Sequence, residues 1–240
     1  MIARRKRVAL TFDDGPADST LDILAVLEEK QVPATFFVVG RRVQGRPDIL
    51  ARLAQSAYAE IGNHSATHAD LITLTADEVR EQLQSTNTLV NKITGQALTA
   101  FRPPRGHHNE VVRQVAGECG LSVILFSLNP KDWADQNPRA ASDTIISQAR
   151  DGDIVVLHDT LFSTAQAIGP IIDGLRARGF TLVPHRDLVG ALAPGEWSDG
   201  ASSASVRTRR WLRRAPVRLS RRGRRLGHDL AARWRPSTAD

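Results

Sequence analysis

Short apolar runs along this chain alternate with longer stretches whose apolar positions recur every three or four residues. The run at 8–12, Val-Ala-Leu-Thr-Phe, has the length and make-up of a buried strand, and Asp13-Asp14-Gly15-Pro16 closes it with a turn. Residues 18–30 carry Leu21, Leu24, Val26 and Leu27 on one side and predict an amphipathic helix. The same reading predicts strands at 34–40, 58–62, 98–101, 121–128, 153–157 and 180–183. Helices are predicted at 47–57, with Pro47 in the first turn, and at 109–118, 142–150 and 164–178. A further helix follows the capping box Thr75-Ala76-Asp77-Glu78, with Val79, Leu83, Val90 and Ile93 on its apolar face.

This unbroken alternation predicts an α/β fold, a parallel sheet with helical crossovers, either barrel or doubly wound. Clusters of polar residues at Asp13, His64, Arg102, Asp132 and His158 each follow a predicted strand. A barrel brings all strand C-termini to one face, whereas an open sheet spreads them along an edge. A distorted (β/α) barrel of about seven parallel strands is therefore expected.

The 240 residues, 41% hydrophobic and 24% charged, suit one globular domain of α/β-barrel size, or one domain plus an appendage. The net charge of +6 hides a division. Of 32 Lys+Arg and 26 Asp+Glu, residues 207–240 hold 12 and 2, which leaves 20 against 24 in residues 1–206. The single cysteine, Cys119, excludes an internal disulfide and reads as a small buried hydrophobe. No apolar run approaches the roughly 18 residues that span a membrane. Residues 1–7 resemble the charged start of a signal peptide, but a five-residue strand follows instead of an apolar segment. A cytoplasmic location is the expectation from the chain as written.

Two adjacent carboxylates at a strand end repel, and in a dry site one takes up a proton unless a cation holds both ionised. Asp-Gly-Pro is also ordinary turn chemistry, so this stretch alone leaves both readings open. His64 and His68 are four apart, so a helical turn would project both imidazoles from one face. Two histidines and a carboxylate form a catalytic zinc donor set, one that also suits ferrous iron or another divalent ion. One acid can then ligate while the other stays free as a base. Arg102, before two prolines, is placed to orient a carboxylate. His158 is a candidate general acid for a leaving amine, Asp132 could tune it, and Trp133 offers a stacking wall. Each of these residues, taken alone, fits a packing role equally well.

Thr-Phe-Asp-Asp-Gly-Pro, His-Ser-Ala-Thr-His, Arg-Pro-Pro-Arg-Gly, Asp-Trp and Val-Val-Leu-His-Asp stand in this order along the chain. In that order they resemble the five motifs of the polysaccharide deacetylases, the NodB-like family 4 carbohydrate esterases. The resemblance covers about residues 7–190. It implies a distorted barrel and removal of N-acetyl groups from N-acetylglucosamine-type sugars of a peptidoglycan-like or chitin-like polysaccharide, releasing acetate. It also implies Asp13 as catalytic base, oriented by Arg102, and Asp14, His64 and His68 as ligands of a divalent metal. Zinc is the first expectation, with cobalt, iron or nickel suiting the same ligands. His158 would be the general acid, assisted by Asp132. Leu157 and Trp133 would line the acetyl pocket, and a backbone N–H of the loop holding Pro104, Arg105 and Gly106 would meet the oxyanion. Rival expectations are a deacetylase or deformylase of a lipid- or nucleotide-linked amino sugar and a non-catalytic carbohydrate-binding protein.

One departure stands out. The third motif usually has an aromatic residue where Arg105 stands, which predicts a substrate with negative charge near the reacting sugar. Beyond the domain at 1–193, residues 194–206 read as a flexible linker. The Arg-rich tail at 207–240 suits contact with an anionic membrane or cell-wall polymer, and equally a solvated segment, with nothing that reads nucleotide sequence. A monomer is expected.

Overall fold

The computed structural model describes residues 5–200. Its strands are β1 (Lys6–Asp13), β2 (Ala34–Val38), β3 (Ala59–Asn63), β4 (Ala100–Phe101), β5 (Ser122–Ile124), β6 (Asp153–His158), β7 (Phe180–Leu182) and β8 (Trp197–Ser198). All pair in parallel, in the order β6-β1-β2-β3-β4-β5-β8, while β7 pairs with the first residues of β1. The helices are α1 (Asp18–Glu29), α2 (Gly40–Gly45), α3 (Pro47–Ala54), α4 (Ala76–Thr94), α5 (Glu110–Glu118), α6 (Asp132–Asp135), α7 (Pro138–Gln148), α8 (Phe162–Ala177) and α9 (His185–Val189). The sheet curls until a single bridge, Leu128 to Val155, joins the segment after β5 to β6. This is the expected distorted barrel. The expected strand at 121–128 keeps regular pairing only to Ile124: the Leu125 N–H still donates to Ser198 of β8, and then Ser127 and Leu128 swing across to bond β6.

Side chains alternate across the sheet, as strand geometry requires. Val8, Leu10 and Phe12 of β1 join Phe36 and Val38 of β2 in the large core under the helices. Ala9 and Phe37 face inward with Ala100, Ile124 and Ile154, against which Leu188, Val189 and Leu192 pack. The guanidinium of Arg7, at the start of β1, donates to the carbonyl of Asp187, so α9 closes the end of the barrel opposite the strand C-termini. The Thr75 capping box opens α4 as predicted, with Glu78 accepting from the Thr75 N–H at 2.8 Å.

The expected linker starts too early. Trp197–Ser198 pairs with β5, and the Gly195 N–H donates to the Leu121 carbonyl, because β5 would otherwise leave an edge without a partner. Residues 201–206 of the expected linker, and the Arg-rich tail at 207–240, lie outside the described residues. Among the described residues no helix is long and apolar enough to cross a membrane.

Candidate active site

Asp13 is the last residue of β1, on the inward parity, and is nearly buried. Its Oδ1 accepts from Arg102 Nη1 at 2.8 Å. Arg102 is fully buried and uses its whole fork: Nη1 also donates to Thr11 Oγ1, Nε to the Ile124 carbonyl and Nη2 to the Leu125 carbonyl. Its plane lies over the Phe37 ring, 4.3 Å from the centroid. A buried guanidinium is costly unless its nitrogens find acceptors and a carboxylate balances it. Here each of the three nitrogens donates, four hydrogen bonds in all, and Asp13 balances the charge.

Asp14 follows in a left-handed conformation, φ 78°, which aspartate tolerates better than most residues. Its Oδ1 lies 3.3 Å from His64 Nε2 and 3.1 Å from His68 Nε2. The segment carrying the histidines is not the helical turn expected from their spacing. Ser65 and His68 have φ of 66° and 61°, and polar side chains hold the loop instead. Asn63 Oδ1 accepts from the Ser65 N–H, Ser65 Oγ from the His68 N–H, and Gln82 of α4 from the N–H groups of Ala66 and Thr67.

These residues fit a divalent cation. His64 Nδ1 lies 2.7 Å from the Arg102 carbonyl, which can only accept, so Nδ1 carries the hydrogen and Nε2 of the neutral ring presents a lone pair. Asp14 Oδ1, buried and without a hydrogen-bond partner, faces that lone pair. Acceptor opposite acceptor is repulsive unless a cation lies between them. Carboxylate and imidazole donor atoms of Asp14, His64 and His68 all fall within 4.8 Å of one another, the donor set of a catalytic divalent site.

Across the site, His158 ends β6. Its Nδ1 lies 2.8 Å from Asp132 Oδ1, while Asp132 Oδ2 accepts from the His158 N–H and from Thr164 Oγ1. Burial pulls the imidazole down, yet the Asp132 carboxylate, helped by the charges of Asp13 and Asp14, pushes it up to about 9. His158 is thus an acid through the neutral range. Its neighbour Asp159 is buried, and that burial, with the same two charges, pushes its carboxyl up to about 7 against the hydrogen bond from Thr20.

A cavity of about 530 Å³ opens here, and Asp13, Asp14, His64, His68, Arg105, Trp133 and His158 line it. Pro104 is buried, and Gly106 packs on Phe126 without lining the cavity. Leu157 is a correction: it is fully buried in the core under the helices. Val156 and His158 share the inward parity of β6, and Val156 forms the apolar wall in its place. Phe126 and Asn129 also line the cavity. The sequence reading missed these two, because they lie in the irregular segment after β5. A second cavity, about 520 Å³, lies around Glu60 and His185. Burial and the charge of Arg102 push His185 down to about 4, so it stays neutral.

One end of the barrel thus gathers carboxylates, imidazoles and a guanidinium around a cavity, on the face where (β/α) barrels carry their chemistry. The protein belongs to the polysaccharide deacetylase family, whose model matches residues 2–124. It is 38% identical over 180 residues to the peptidoglycan-N-acetylmuramic acid deacetylase PdaC of Bacillus subtilis, covering 75% of this chain and 38% of that relative. The chain thus spans well under half of PdaC. With the peptidoglycan-N-acetylmuramic acid deacetylase PdaA of the same organism it shares 36% identity, covering 78% of this chain and 72% of PdaA. The structure described as T48 deacetylase with substrate superposes with a TM-score of 0.77 at 31% identity, covering 81% of this chain and 97% of that one.

Proposed function

We propose that this protein removes N-acetyl groups from N-acetylhexosamine residues of a polysaccharide of the peptidoglycan or chitin kind, releasing acetate. The observation that carries this is the Asp14–His64–His68 donor cluster set between the Arg102-bound Asp13 and the Asp132-bound His158. Names of the relatives support the substrate class. In this reading Asp14, His64 and His68 hold a divalent metal, with zinc the first choice for the donor set. Such an ion supplies Lewis acidity, polarising the acetyl carbonyl and acidifying water.

The protein's own groups do the rest. Asp13, oriented by Arg102, accepts the proton of the attacking water, and the water oxygen bonds to the acetyl carbon. A main-chain N–H of the 103–106 loop donates to the developing oxyanion, an interaction typically worth about 10²–10³ in rate. His158 then gives its proton to the departing nitrogen as the carbon–nitrogen bond breaks. Acetate and a free amine result. Val156, Phe126 and Trp133 offer the acetyl methyl an apolar wall. Because both acid and base are present, a purely sugar-binding role is disfavoured.

The test is acetate release from N-acetylglucosamine oligomers and peptidoglycan fragments, after chelation and again with zinc or cobalt restored. Release that returns with metal, and that Asp13→Ala lacks, is expected. No release from any polymer by metal-loaded protein would redirect the reading to lipid- or nucleotide-linked sugars.

Arg105 sharpens the substrate. It lines the cavity with φ 59°, and its Nη1 stands 3.6 Å from Asp70 Oδ2, a carboxylate shared with His107. A cation held so loosely is free to meet a substrate carboxylate or phosphate beside the reacting sugar. Wild type is expected to favour anionic over neutral N-acetylated substrates, and Arg105→Tyr to lose that preference. An unchanged ratio of kcat/KM values would remove Arg105 from specificity.

A further inference from the structure

Asp159 belongs neither to the donor cluster nor to the acid–base pairs, and it does not line the cavity. It is nonetheless buried against the turn that carries Asp14. Its N–H donates to the Asp13 carbonyl at 3.3 Å, and its own carbonyl accepts from Ser19 Oγ at 2.6 Å. Its Oδ2 accepts from Thr20 Oγ1 at 2.7 Å, and that hydroxyl in turn accepts from the Ala17 N–H at 2.9 Å. Gly15 sits so close over the carboxyl that a Cβ there would overlap it. On its other side, the Gly15 carbonyl accepts from the Val39 N–H at 2.9 Å. The turn from Asp13 to Ala17 is thus tied both to Asp159 and to the chain just after β2.

Such a clamp has a purpose at Asp14. A left-handed backbone at a residue other than glycine is strained and persists only where the surroundings over-determine it. Without the clamp, the turn would relax and carry the Asp14 carboxylate away from the two imidazoles.

We propose that Asp159 is a positioning residue: with Thr20 it locks the Asp13–Ala17 turn so that Asp14 is preset for the divalent ion. The proposal rests on the reading of Asp14, His64 and His68 as metal ligands. Asp159 itself touches neither substrate nor metal. Groups that set ligand orientation typically change metal affinity by about 10–100-fold when removed.

The experiment titrates zinc into the full chain, stripped of metal, against a chromophoric competing chelator. Thr20→Val removes only the bridging hydroxyl at nearly constant size, and Asp159→Ala removes the carboxyl. Both are expected to bind zinc about tenfold or more weakly. Thr20→Ser and Asp159→Asn keep the hydroxyl and the acceptor and are expected to bind like wild type, a rescue that a general loss of packing would not give. Circular dichroism and melting of the metal-free chains establish that each variant is folded. Thr20→Val keeps the test decisive should Asp159→Ala fail to fold. A folded Thr20→Val that binds zinc as tightly as wild type overturns the role of Asp159 alone. Wild type that binds no zinc overturns the metal reading and this proposal with it.

Discussion

Arg102→Met is expected to destabilise the fold by about 3–5 kcal/mol, the usual cost of removing one partner from a buried ion pair. The guanidinium is fully buried and bonds Asp13, Thr11 and the carbonyls of Ile124 and Leu125, so its loss strands several acceptors together with a charge. Methionine fills much of the volume and keeps contact with Phe37, so the cost is chiefly electrostatic. Adding Asp13→Asn to Arg102→Met removes the stranded charge and should restore part of the stability, a coupling that a double-mutant cycle reads directly. Urea unfolding of the four metal-free proteins measures it. Arg102→Met within about 1 kcal/mol of wild type would show that the pair is not the electrostatic centre of the barrel. Activity should fall further than stability accounts for, because Asp13 then loses the group that aims it.

The second large effect concerns His158. Its imidazole, held up to about 9 by Asp132 against burial, must be protonated to serve as acid. Activity should therefore fall as pH rises through that region, somewhat lower once a divalent ion offsets the charges of Asp13 and Asp14. Asp132→Asn leaves burial opposed only by the charges of Asp13 and Asp14, so the imidazole falls from its wild-type value and the alkaline limb moves down with it. At pH 8 the rate should fall about 10²–10⁴-fold, the usual worth of a positioned acid. Stability follows the same sign. Because the folded value lies above the unfolded one, the ion pair contributes fully below pH 6.5 and is lost as pH rises towards 9. Nuclear magnetic resonance titration of His158 in chelated wild type and Asp132→Asn separates the two proteins. An unmoved imidazole in the variant would remove Asp132 as its tuning partner.

Much of this site was legible in the chain because strand ends announce themselves locally. A five-residue apolar run that stops at Asp-Asp-Gly-Pro, or at His-Asp, places its polar residues at a strand terminus whatever the rest of the molecule does. The alternation of such runs with helical stretches then implied a parallel barrel, and the barrel implied one shared face. Ordered motifs supplied the rest of the cast: Asp13, Asp14, His64, His68, Arg102, Asp132 and His158.

Other features came only with the assembled fold. His64 and His68 meet through a loop shaped by Asn63, Ser65 and Gln82, not through a helical turn, because hydrogen bonds from a distant helix outweigh local spacing. Leu157 points away from the cavity and Val156 into it, since inward parity on β6 depends on how that strand registers with β1. Phe126 and Asn129 reach the cavity because the segment after β5 leaves its strand to close the barrel against β6. Residue types and their order along the chain are local properties, and the sequence by itself determined them. Which face a side chain takes depends on strands far apart in the chain, and what balances a buried charge such as Arg102 depends on partners up to 91 positions away; only tertiary structure decided them.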